Sequence, residues 1–248
     1  MKILSLLRLA EDAGYIAEGK RNLLGAIQDS RTFEQNLAAL DQSHSGAYAF
    51  MAFHPFADKV VAEYIGEGSI GNDAGSHILV LFLQGDNMPQ EPRALFPGDA
   101  LFGVNLSIEE HPAYALANKF FPGATRPKLP GIVFFNRLFK TASSIYVVLE
   151  GTDKEQIRAQ CRTVFDAANQ SAEQTKEKDD VKIWSIDLDR FAGRLFDLGV
   201  AYRRAGKKGF RSAAYIVGTW IKKNAGSIVV AIPKLVIPQL AKLEKRVD

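Results

Sequence analysis

Cysteine is nearly absent from this chain: Cys161 stands alone among 248 residues. One cysteine excludes an intrachain disulfide framework and a cysteine-rich zinc site, and it fits a reducing cytosol. Histidine is also sparse. His44, His54, His77 and His111 are scattered singly, without the paired spacing of a metal-binding helix, so no metal is expected. His111, beside Glu109 and Glu110, reads as part of the acidic lead-in to a helix starting at Pro112. No long apolar run is unbroken. Met1–Ala10 is interrupted at Arg8 and followed by Glu11 and Asp12, too early for the apolar core of a secretory signal. Residues 225–248 are apolar but broken by Pro233, Lys234 and Pro238, a poor membrane-spanning helix. The expected location is cytoplasmic, at most peripheral at a membrane.

The glycine motifs are incomplete as well. Gly66–Gly71 reads G-E-G-S-I-G, and Asp86 follows about where a ribose-binding acid would lie. Only five residues separate Gly71 from His77, however, too few for the crossover helix of a dinucleotide site. Ser69 has Gly71 behind it but Glu67 where a nucleophile elbow needs its first glycine. The Gly-Lys-Ser/Thr of a phosphate loop is missing. The segment reads as a flexible loop, and no cofactor is expected.

What is present is an ordinary globular composition, 47% apolar and 24% charged, long enough for one large domain or two small ones. Net charge is only +3 but lopsided. Residues 201–248 hold eleven Lys or Arg against Glu244 and Asp248, a net of +9, which leaves the first 200 residues at −6.

Ile132–Phe135 and Ile145–Leu149 are continuous apolar runs suited to strands buried on both faces. Asn136–Ser144 joins them as a polar hairpin connection carrying Arg137 and Lys140. Thr152 then opens a helix with Glu155 as capping-box partner, and Ile157, Cys161, Val164 and Ala168 share one face of it. Upstream, Pro112–Phe121 is a compact helix stopped by Pro122-Gly123. From Leu101 to about Asn169 the order is strand, helix, proline, strand, hairpin, strand, helix.

That order resembles the C-terminal half of the thioredoxin-like fold, over about 70 of the 248 residues. In that family a proline, usually behind a cis peptide bond, stands directly before the fourth strand. Pro130 is the matching position and Pro127 a second candidate. The resemblance implies an α/β protein with a mixed sheet. The family's redox enzymes place paired cysteines just after a strand, where a helix N-terminus favours the thiolate. Ala47–Phe53 is such a strand, and His54–Asp58 would hold the matching positions. The other register uses His77–Leu83, followed by Gln84–Pro92. Neither contains cysteine, so thiol–disulfide exchange is not expected, and Cys161 reads as an inert core thiol.

Three regions follow. Residues 1–45 form a helical segment, with Ile3, Leu6, Leu7 and Ala10 on one face, Leu23, Leu24 and Ile27 in a second helix, and Thr32 with Gln35 as a capping box. Residues 46–178 form the α/β body. Residues 179–248 form a basic amphipathic helical region, set off by the polar run Ser171–Asp180. In it, Val181–Ile186 alternates like a strand, and Asp187 caps a helix with apolar positions at Leu188, Phe191, Leu195, Leu198 and Tyr202. Arg203, Arg204, Lys207, Lys208 and Arg211 follow, then Trp220, Lys222 and Lys223 among further aromatics. This mixture suits an anionic membrane interface or a protein partner; nucleic acid fits less well, since no recognition motif accompanies it. The plain alternative is helices packed on the body with solvated basic faces. The leading expectation is a non-enzymatic, thioredoxin-like binding or adaptor protein. The competing one is an enzyme with a site near His54, Asp58, Asp86 and Pro130, under the proline-rich loop Gly85–Asp99.

Overall fold

The structure is a computed structural model that describes residues 2–5, 30–53, 57–82, 121, 128–139, 143–176 and 184–205. Among these, six strands form one mixed sheet: β1 (Lys2–Ser5), β2 (Ala47–Ala52), β3 (Ile78–Phe82), β4 (Gly131–Phe135), β5 (Ser144–Val148) and β6 (Tyr202–Ala205). Their order is β1-β3-β2-β4-β5-β6. β1 and β2 both run parallel to β3, whereas β4, β5 and β6 are joined antiparallel from β2 outward. The described helices are α1 (Ser30–Ser43), α2 (Lys59–Gly66), α3 (Ile70–Asp73), α4 (Lys154–Lys176) and α5 (Leu188–Asp197). The chain is thus of the α/β class.

β2 lies at the centre and every one of its residues is buried, as the uninterrupted apolar run requires. Alternate side chains go to opposite faces. Ala47, Ala49, Met51, Val80, Ile132, Phe134 and Val147 meet α2, α4 and α5 in one core, with Phe134 edge-on to Phe165 and Phe191. On the other face Tyr48 stacks on Phe135, ring centroids 5.4 Å apart. There Asp41 of α1 accepts from the Tyr48 hydroxyl and the Leu138 amide, while Arg137 donates to the Asp41 and His44 carbonyls at the end of α1. The basic hairpin residue Arg137 is therefore a cap for α1.

Several boundaries differ from those expected. Lys2–Ser5 pairs with β3 as a strand, so Ile3 belongs to the sheet rather than to a helical face. At the head of α4 the capping side chain is Asp153, which accepts from the Gln156 amide, while the Gln156 side chain accepts from the Thr152 amide. The cap therefore uses Asp153 and Gln156, each one residue later than Thr152 and Glu155, with the Gln156 side chain reaching back to Thr152. Gly66–Gly71 is less a loop than a compact turn into α3, with Ile70 and Gly71 buried. α4 runs on to Lys176, into the polar run Ser171–Asp180 expected to be a frayed helix end and linker, and Ser171 and Ala172 there are fully buried. Among the described residues 184–186 of the alternating segment, Ser185 makes a bridge to Gly46.

Asp187 does cap α5, accepting from the amides of Asp189 and Arg190. The helix stops at Asp197, however. Gly199 takes the left-handed conformation (φ 67°), and Tyr202 resumes as a strand paired with Val147. Trp184, Ile186, Leu188, Phe191 and Leu195 share the core of the body. A boundary at 178/179 therefore has no counterpart in the packing of residues 184–205.

Gly46 precedes β2 at φ 124°, and a Cβ there would overlap the His77 carbonyl that accepts from the Ala47 amide. Gly46→Ala should destabilise the fold by about 2 kcal/mol or more, read as a lower urea midpoint at unchanged m.

Candidate functional site

The two ends of the central strands offer different chemistry. At the carboxyl end of β2, Ala52 pairs with Gly131, the first residue of β4, and the Leu129–Pro130 peptide before it is cis. The Tyr146 hydroxyl crosses Gly131 to donate to the Lys128 carbonyl at 2.6 Å, which leaves no room for a Cβ at Gly131. Lys128 pairs with Glu150 at 2.7 Å on the surface beside this corner. Asp58, half-exposed, stands at the head of α2, which follows β2 in the chain. Pro130 is thus placed beside the end of β2. His54, Asp86, the loop 85–99 and Pro127 lie outside the described residues, as does His111.

At the amino ends of β2 and β3 there is a cleft of about 260 Å³ lined by Ser43, His44, Ser45, Ser76, His77 and Trp184. The parallel pairing of β2 with β3 brings its two histidines together from 33 positions apart in the chain. The His44 Nε2 lies 2.9 Å from the Ala47 carbonyl, and its ring meets Tyr48 edge-on at 4.9 Å. The His77 ring meets Trp184 at 5.0 Å, and its Nε2 is 3.7 Å from Glu173. Asn169 of α4 accepts from the His77 amide and donates to the Ala74 and Phe165 carbonyls, fixing this corner. The cleft is polar and its walls are tied down by structural bonds. Nothing in the spacing of two isolated histidines pointed to it.

A buried charge cluster lies against α4. The Asp73 side chain, 3% exposed, accepts from Arg158 Nε at 3.0 Å, Arg162 Nε at 2.7 Å and the Tyr64 hydroxyl at 3.1 Å. Burial by itself would raise the carboxyl pKa, but hydrogen bonds from Arg162, Arg158 and Tyr64 outweigh it and hold the group below its ordinary value. Tyr64 is pushed up by burial and by the neighbouring Cys161 and Asp73. Burial, and then Asp73, also raise the Cys161 thiol, so it is a poor thiolate donor. The cluster is a structural clamp between α3 and α4.

Of the basic residues singled out in the sequence, Arg203 and Arg204 lie exposed on β6, an edge strand, and Arg204 pairs with Asp189. Lys207, Lys208, Arg211, Trp220, Lys222 and Lys223 lie outside the described residues. Among the described residues no group of three His, Cys, Asp or Glu side chains could hold a metal ion, and no helix is long and apolar enough to cross a membrane. Comparison with protein families, with curated proteins and with solved structures found no match.

Because native Asp73 titrates below its unfolded value of about 3.9, its stabilisation is present above about pH 4 and is lost as pH falls through the native pKa. Asp73→Ala should cost roughly 2–4 kcal/mol at neutral pH, since it leaves Arg158, Arg162 and Tyr64 without their shared acceptor. Urea midpoints of wild type and variant should converge as the pH is lowered through the native pKa of Asp73.

Proposed function

We propose that this protein is a thioredoxin-like binding or adaptor protein without thiol chemistry, and that its basic C-terminal region engages an anionic membrane surface. The thioredoxin-like part of the reading is supported by the sheet: two parallel neighbours of β3, then an antiparallel pair added beside β2, with a proline directly before β4. The binding reading leaves out dithiol exchange because a dithiol needs two cysteines and the chain has one, buried.

The observation that carries the surface reading is the exposure of Arg203 and Arg204 on edge strand β6, at the head of a segment with net charge +9. Basic residues interleaved with Phe210, Tyr215, Trp220 and aliphatics match an interface where lysines meet lipid phosphates and rings enter the headgroup region. Such attraction weakens as salt screens it.

Co-sedimentation tests this directly. The full chain should pellet with vesicles containing phosphatidylserine at low salt, and neither at high salt nor with phosphatidylcholine alone. Lys207→Glu, Lys208→Glu, Lys222→Glu and Lys223→Glu together should abolish pelleting. Pelleting unchanged by that charge reversal would overturn the proposal. Salt-sensitive retention on single-stranded nucleic acid, without vesicle binding, would instead favour the nucleic-acid reading.

A further inference from the structure

The end of α5 carries two apolar side chains that lie outside the core of the described residues. Phe196 is 76% exposed and Leu198 54% exposed, whereas Phe191 and Leu195 of the same helix are fully buried. The buried stripe of α5 is Leu188, Phe191, Ala192 and Leu195, at spacings of three and four; Phe196 falls outside it. Leu198 would continue the stripe, but the helix ends there. The Val200 amide bonds back to the Leu195 carbonyl, the Gly199 amide to that of Phe196, and Gly199 turns the chain toward β6. Most described phenylalanines are buried, including Phe50, Phe53, Phe134, Phe135 and Phe165. Single exposed apolar residues are common on protein surfaces, but a phenylalanine this exposed beside a second large aliphatic at a helix tip is a poor use of apolar area unless something covers it.

The surroundings indicate what covers it. From Leu188 to Ala205 four arginines stand against Asp189 and Asp197. Arg190 and Arg194 are held by Gln174 and Gln170 of α4, and Arg204 pairs with Asp189 at the opposite end of α5 from Phe196. About 12 Å of helix rise separates Asp189 from Asp197, so the basic edge strand lies within one short helix length of the apolar tip. An apolar tip with cations set back from it by this distance matches a bilayer interface, where apolar groups reach about 5–10 Å below the headgroups and cations stay among the phosphates. Asp197, exposed between the two apolar side chains, is the group that opposes close approach to anionic lipid.

We infer that Phe196 and Leu198 form a wedge that enters the interfacial region of an anionic phospholipid bilayer when the basic region docks on it. The inference rests on the membrane reading above and adds the residues that insert. The wedge supplies the part of the binding that salt does not screen, while the arginines and lysines supply the part that it does.

The experiment uses the full chain with vesicles of phosphatidylcholine, with and without phosphatidylserine. Phe196→Ser with Leu198→Ser should weaken binding to the anionic vesicles about tenfold or more and make the remainder more salt-sensitive, with the melting temperature unchanged because both side chains are exposed. In Phe196→Trp, fluorescence beyond that of the wild type should shift to the blue on binding and be quenched by lipids brominated on their acyl chains. If wild type binds anionic vesicles, normal affinity of the double variant or absence of quenching in Phe196→Trp overturns the wedge and leaves the electrostatic reading standing. Failure of the wild type to bind any anionic vesicle overturns both.

Discussion

The structure depends on one constraint, the burial of β2 on both faces. With no water on either side, each amide and carbonyl of the strand must be bonded within the sheet. β3 meets that need on one edge in parallel and β4 on the other in antiparallel register. Each face then needs its own cover. One receives α2, α4 and α5; the other carries Tyr48, Phe50, Phe135 and Tyr146, with the end of α1 bound to it through Asp41. Displacement of β2 by one residue would exchange the two sets of side chains and leave both covers mismatched.

Polar residues in this body act mainly as fasteners between segments distant in sequence. Asn169 ties α4 to the turn before β3, and Asp73 ties α3 to two arginines of α4. Arg137 closes the end of α1 from the β4–β5 hairpin. Groups committed in this way are neutralised by their own fold. Arg203 and Arg204 lie exposed on β6, at one edge of the described sheet, with Arg204 paired to Asp189 of α5, the helix whose far end carries Phe196 and Leu198. Two exposed arginines and two exposed apolar side chains thus lie within the span 196–204, and the functional reading is directed there.

Much of the sheet was legible because buried strands leave a strong local signal. Ile132–Phe135 and Ile145–Leu149 are apolar without a break, and the strands formed there begin within one residue of those positions. Asp187 announced its helix by the same local logic. Errors arose where local patterns were ambiguous. Ile3 sits in an apolar run too short to separate strand from helix. Leu198 and Tyr202 extend a helical spacing by coincidence, because a turn at Gly199 followed by a strand satisfies the same positions. The polar run Ser171–Asp180 reads as a frayed helix end and linker; the helix does continue to Lys176, and burial of Ser171 and Ala172 ties its start to the core. The cleft at His44 and His77 left no sequence signal, since parallel pairing rather than spacing joins those residues.

The sequence by itself determined that these 248 residues hold a single cysteine and so no intrachain cysteine pair, that the chain is α/β with buried strands, and that positive charge accumulates toward residue 248. These follow from counting and from periodicities that span a few residues. Tertiary structure alone decided that residues 184–205 complete the sheet and core, that Asp73 is an ion-paired clamp and that Phe196 is left in solvent. The reason is range. Arg158 reaches Asp73 across 85 positions, and only the register of a folded sheet determines which such partners meet.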